Sequence, residues 1–216
     1  MIRAALFFLL SNAAMATACE TPICQVNPDS LALTQIITFE DQPATMGPGR
    51  PLDEFLVLPG ASFAERFIGQ SLEFTGNHDR VVGPAANPLG LMAGQAGQNM
   101  SLVIMGQNRV LNGYGPAGYP RRNAQGEGAI SVLFDQDQPA LAFDLRGGEN
   151  GFARVQFLRR DGSVIVEIAV QNLGEYAVGF RRQNDEPDIA GFVVMNIDPQ
   201  GLAIDNIRFG PPPNLS

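Results

Sequence analysis

The sequence predicts an all-β fold, an antiparallel β-sandwich or jelly roll, on three observations. Apolar residues recur with a period of two from Gln35 onward, turn residues punctuate that pattern at short intervals, and no segment after the N-terminal apolar run carries a helical period. The alternation is clearest in the second half. Ile130, Val132 and Phe134 alternate with Ala129, Ser131 and Leu133; Leu141, Phe143 and Leu145 alternate with Ala142, Asp144 and Arg146. Val164, Val166, Ile168 and Val170 form a third set, and Tyr176, Val178 and Phe180 a fourth. A period of two sends every second side chain to one face, as in a half-buried antiparallel strand. Turn signals stand between the sets: Asp135-Gln136-Asp137-Gln138-Pro139, Gly147-Gly148-Glu149-Asn150-Gly151 and Arg160-Asp161-Gly162-Ser163. Asp-Gly between apolar strands is a hairpin signal. Residues 127–209 therefore predict a meander or Greek-key set, and many short strands with Gly and Pro turns predict a sandwich.

The elements follow in chain order. Residues 1–18 predict an export signal: Arg3, an apolar run Ala4–Leu10 too short to span a bilayer, and the small-x-small motif Ala16-Thr17-Ala18. Residues 19–34 predict an N-terminal arm closed by a Cys19–Cys24 disulfide, since two cysteines this close pair readily in an oxidising compartment. Acylation of Cys19 is the competing reading, although Ala16 stands where a lipobox prefers Leu. The sandwich domain is expected over 35–210, with a flexible tail over 211–216. Inside it, 42–53 reads as a Pro- and Gly-rich loop, with short strands over 54–58, 63–68, 71–75 and 100–105. Two stretches, 84–99 and 112–126, read as irregular loops, and long loops on a sandwich are often functional.

Composition bounds the partners. The basic residues are all arginine, and removing residues 1–18 removes only Arg3, so the net charge moves from −8 to −9. An acidic surface argues against nucleic acid or an anionic membrane as partner. No later apolar run reaches membrane-spanning length. The expected location is secreted or periplasmic, or the outer membrane through Cys19.

Two acidic motifs bracket the chain, Phe39-Glu40-Asp41 and Ile204-Asp205-Asn206-Ile207. Leu202 and Ile204 share one strand parity, Ile207 and Phe209 the other. A bulge at Asp205-Asn206 would bring all four to one face and expose carbonyls. If the first and last strands pair, Glu40, Asp41 and Asp205 become candidate ligands for a structural Ca²⁺, a cation that takes six to eight oxygens. In the 112–126 loop, Tyr114, Tyr119, Arg121 and Arg122 combine aromatic rings with guanidinium groups, which suits a polysaccharide carrying carboxylates. His78-Asp79 is the one His-Asp neighbour pair, and the single histidine excludes a multi-His metal site. His78 reads as a solvated loop residue. No Gly-x-Ser-x-Gly, P-loop or dinucleotide motif occurs.

Several segments carry a resemblance. Phe39-Glu40-Asp41, then Gly128–Phe134 with Phe143-Asp144-Leu145, then Val155-Gln156-Phe157 with Asp161-Gly162-Ser163, and closing Ile204–Ile207 are similar to secreted bacterial jelly-roll domains. These include uncharacterised exported proteins of the PEP-CTERM-associated type. Residues 35–210 also resemble calcium-containing carbohydrate-binding modules, which share an early Phe-Glu and a late Ile-Asp. That resemblance implies structural Ca²⁺ at Glu40 and Asp205. The expected departures from it are the want of a PEP-CTERM anchor and of a tryptophan for sugar stacking. The expected function is a non-enzymatic binding module, or an extracellular structural component, associated with a polysaccharide or envelope surface. The alternative is a small polysaccharide lyase or hydrolase using Tyr119, Arg121 and His78. Fold alone does not decide between them.

Overall fold

The computed structural model describes residues 21–148, 151–198 and 200–210. The expected signal peptide, Cys19 and the tail lie outside these residues. The strands are β1 (Ile23–Val26), β2 (Gln35–Ile37), β3 (Arg50–Leu52), β4 (Leu56–Leu58), β5 (Ala61–Ala64) and β6 (Arg66–Phe67). They continue with β7 (Ser71–Thr75), β8 (His78–Val82), β9 (Leu91–Met92), β10 (Met100–Met105), β11 (Asn108–Tyr114) and β12 (Gln125–Gly128). The last seven are β13 (Ile130–Gln138), β14 (Ala140–Gly147), β15 (Phe152–Leu158), β16 (Val164–Gln171), β17 (Ala177–Arg182), β18 (Ile189–Asn196) and β19 (Leu202–Phe209).

Two antiparallel sheets face each other as a sandwich, as the period-two pattern predicts. One sheet has the order β1-β17-β14-β19-β11-β10-β3, with β2 added beside β19 and β12 beside β11. The other has the order β16-β15-β18-β13-β5-β4. Their facing side chains form one core. Leu141, Phe143, Leu145 and Phe180 come from the first sheet; Val132, Phe134, Phe157 and Phe192 come from the second. Phe192 stacks on Phe143 across the layers with centroids 5.3 Å apart and planes 6° apart.

The expected bulge lies in β19. Ala142 pairs with Arg208 and Asp144 with Asp205, so Phe143 alone faces both Asn206 and Ile207. Asn206 takes the left-handed conformation at φ 48°, which asparagine tolerates better than most residues. The extra residue switches parity, and Leu202, Ile204, Ile207 and Phe209 all reach the same core. The chain ends do meet: Ile207, Arg208 and Phe209 pair with Ile37, Ile36 and Gln35.

The Asp-Gly hairpin forms between β15 and β16. Gly162 sits at φ 82°, and the Ser163 N–H donates to Asp161 Oδ1 at 2.9 Å. The Gly147–Gly151 signal falls between β14 and β15, as expected, but Asp135–Pro139 differs from the expectation. Residues 135–138 remain strand, and only Pro139 separates β13 from β14, which belong to different sheets. The strand survives its polar residues because a register shift lets Gln138 pair with Ile189. Likewise β11 runs on to Tyr114 and β12 begins at Gln125, shortening the expected 112–126 loop at both ends. The arm is not separate: β1 pairs with β17 and Ile23 enters the core. Cys24 is not a free thiol, but its expected partner Cys19 lies outside the described residues.

The least regular part of the sequence becomes a cover. Residues 66–92 fold over the outer face of the six-stranded sheet. Phe67, Val81, Leu89 and Leu91 pack there against Leu158, Val193 and Met195 in a second apolar cluster. A Cβ on Gly191 would collide with Val132 O and the Phe67 ring, so glycine lets the cover sit close. All eight residues of β18 are consequently buried.

Candidate functional site

The bulge and the paired chain ends build a polar cluster on the outer face of the nine-stranded sheet. Asp144 is its centre. Its Oδ1 accepts from Arg208 Nη2 at 2.7 Å; its Oδ2 accepts from Asn206 Nδ2 at 2.9 Å and Arg146 Nη2 at 3.2 Å. Asp205 lies opposite Asp144 in the ladder and is buried, with Oδ1 accepting the Asn206 N–H at 2.7 Å. Burial raises the Asp205 pKa; the Asn206 N–H and Arg146 lower it, while the charges of Asp144 and Glu40 add to the rise. Glu40 Oε1 accepts the Arg109 backbone N–H at 2.9 Å, and Oε2 lies 3.6 Å from Arg109 Nη1. Asp41 is exposed.

Glu40 and Asp205 are thus brought into one electrostatic neighbourhood, but arginine is what they meet. Among the described residues, no group of three or more His, Cys, Asp or Glu side chains is arranged to hold a metal. A Ca²⁺ would need to displace Arg109 and Arg146 and gather further oxygens. As arranged, these carboxylates meet guanidinium groups: Asp144 and Asp205 share Arg146 in a lock that Arg208 completes, while Glu40 pairs separately with Arg109.

Beside this lock lies an open cavity of about 400 Å³ whose wall includes Asn112, Arg122, Gln125, Arg146 and Gln200. Ladder geometry explains the set. Asn112 and Arg146 both pair with Ala203, so three adjacent strands present them on one face around a small residue. Arg122 and Gln125 come from the short turn into β12. Ser101 Oγ donates to Asn112 Oδ1 at 2.6 Å and orients that amide. The Arg122 side chain is exposed and makes no ion pair or hydrogen bond among the described residues. A larger hollow of about 580 Å³ lies by Leu31, Leu33, Pro139 and Arg181. Its polar groups are more committed: Arg181 Nε bonds Asp185 at 2.6 Å and Gln138 Oε1 accepts the Gly210 N–H at 2.9 Å.

The four loop residues expected to bind ligand do not act together. Tyr114 is 1% exposed, its hydroxyl donating to Pro48 O at 2.5 Å. It is a core side chain, not a stacking platform. Burial pushes its phenol up to about 12. Tyr119 meets it edge-on at 5.7 Å and keeps an exposed face. Arg121 is exposed, and Arg122 alone of the four lines the cavity.

His78 is not a solvated loop residue. It lies on β8, where Nδ1 abuts Glu127 Oε2. Glu127 is buried, accepts Asn196 Nδ2 at 2.9 Å, and has a pKa raised chiefly by burial. The contact of His78 is with Glu127, and no hydrogen bond joins it to Tyr119 or Arg121. Asp79, the next residue, is 2% exposed with Oδ1 unpartnered. Burial pushes its carboxyl from 3.8 up to about 7, against the pull of Arg66. The folded chain therefore favours the protonated acid. Stability from this group is full below the unfolded value of about 4 and is lost as pH rises through about 7. Asp79→Asn is expected to gain up to about 4 kcal/mol over the wild type at about pH 8, and little at about pH 4. Urea midpoints of the two proteins across that range check this; a pH-independent difference would contradict it.

The sequence reading missed Asp144 and Arg146, which look like ordinary outward residues of an alternating strand, and Asn112, which falls in the expected 112–126 loop and proves to lie on β11. Only their register against β19 unites them. No protein-family model matches the chain, and no curated protein matches it. No helix among the described residues is long and apolar enough to cross a membrane.

Proposed function

We propose that this protein is a non-enzymatic binding module of an extracellular or envelope surface. Its ligand is a short glycan bearing a carboxylate, held in the cavity at Asn112, Arg122, Gln125, Arg146 and Gln200. The observation that carries the reading is an uncommitted guanidinium, Arg122, on the wall of a cavity that three amide side chains and a second guanidinium also line. Amides donate to and accept from sugar hydroxyls, and guanidinium groups pair with carboxylates in a planar fork. The size lies within the range of small-molecule sites. The site does without an aromatic platform, consistent with a chain that has no tryptophan. The surrounding lock of Asp144, Arg146 and Arg208 holds one wall of the cavity rigid, the support a preorganised site needs.

Calorimetric titration with oligouronates and with neutral oligosaccharides of equal length tests the reading. Arg122→Ala is expected to weaken uronate binding about tenfold or more, the worth of a charge-assisted hydrogen bond, without changing the melting temperature. Unchanged affinity in that variant would remove Arg122 from the site.

A further inference from the structure

The six-stranded sheet ends in an edge that no described element covers. β16 stands last in its order and pairs only with β15. The other terminal strands, β1, β3 and β4, are three or four residues long, whereas β16 has eight, Val-Ile-Val-Glu-Ile-Ala-Val-Gln. Proteins blunt such edges with charges (lysine above all), proline, a bulge or a covering loop; β16 has no lysine or proline, and its one register shift, at Ile165, leaves 166–171 regularly paired. Its one charge, Glu167, is held from the side by Arg154 at 2.8 Å. Val166 and Ile168 pack against the main core yet remain half-exposed beside the fully buried Val170. The core is therefore open along this edge.

We infer that β16 pairs antiparallel with β16 of a second copy of this chain, joining the two six-stranded sheets edge to edge across a twofold axis at Ile168. The pattern of the strand favours a copy of itself. In antiparallel pairing, opposed residues share a face, and Ile168 opposite Ile168 sets Val166 against Val170 of the other copy. The apolar row of each core then continues into the next. The same register sets Glu167 opposite Ala169, so the two carboxylates do not confront one another, and each keeps its own Arg154. Sliding the strands to place Glu167 on Glu167 would oppose like charges. Such an interface is isologous and closes at two copies, which ends the edge instead of propagating it.

Sedimentation equilibrium over a wide concentration range tests this with the whole protein. The wild type is expected to reach twice the chain mass. Ile168→Lys places two ammonium groups face to face at the axis and is expected to give monomer. Because Ile168 is half-buried, the exposed Ala169, which pairs with Arg154 of its own chain, supplies a second pair of variants, each first checked as folded by circular dichroism. Ala169→Glu, opposite Glu167 of the other copy, is expected to weaken dimerisation about tenfold, whereas Ala169→Arg retains it. A wild type that stays monomeric overturns the inference, as does equal dimerisation by the two Ala169 variants.

Discussion

Truncating Phe192 to alanine is expected to lower the free energy of unfolding by about 3–5 kcal/mol. Phe192 is fully buried on β18, which is covered on both faces. Its ring lies parallel to Phe143 of the opposite sheet, 5.9 Å from Phe134 and 6.2 Å from Phe157. Alanine leaves a void that neither sheet can close, because the ladders on both sides fix the strand spacing. It also removes aromatic pair interactions beyond the area term. The check is a lower denaturant midpoint with an unchanged slope. The control is Phe74→Ala, at a ring 62% exposed, expected to shift stability by no more than about 0.5 kcal/mol.

Asp144→Ala is expected to cost about 2–3 kcal/mol, more than any single surface ion pair. One carboxylate accepts from Arg146, Arg208 and Asn206 together. Its removal leaves two guanidinium groups of 17% and 27% side-chain exposure without this partner. The bulge loosens with it, since the Asn206 side chain loses one of its two acceptors. The magnitude stays below that of a fully buried pair because water reaches the edge of the cluster. The same protein decides between an arginine lock and a calcium centre. A thermal melt in chelator and then in excess Ca²⁺ is expected to show no shift. A rise of several degrees, abolished in Glu40→Ala and in Asp205→Ala, would return those residues to the role of calcium ligands.

Much of the fold was legible in the sequence because burial on one face writes itself as a period of two. The β19 bulge was legible for the same reason: Leu202 and Ile204 could not share a face with Ile207 and Phe209 without it, and Asn206 suited the turn. What the pattern could not show was sheet membership. β13 and β14 both carry an alternating apolar set, over 130–134 and 141–145, yet lie in opposite layers, because alternation marks a face and says nothing about the neighbour. The cover over 66–92 was opaque because its apolar residues, such as Phe67 and Val81, are spaced by turns and meet only on the outer sheet face. The site divides in the same way. Arg122 stood out as an arginine in a loop, but Asp144 and Arg146 gain meaning only through their register with Asp205 and Ala203. Tyr114 was misleading: Gly113 and Gly115 flank it like a loop residue, although those glycines let β11 and β12 approach closely.

The proposed glycan occupies the cavity beside the arginine lock. The most direct measurement is a ¹H–¹⁵N correlation titration of the protein with an oligouronate, following side-chain amide and guanidinium signals. Saturable shifts at Asn112, Gln125, Gln200 and Arg122, with the His78 and Glu127 region unmoved, are the predicted result. Absence of saturable shifts at those four residues, or shifts centred on His78, Asp79 and Glu127, would contradict it.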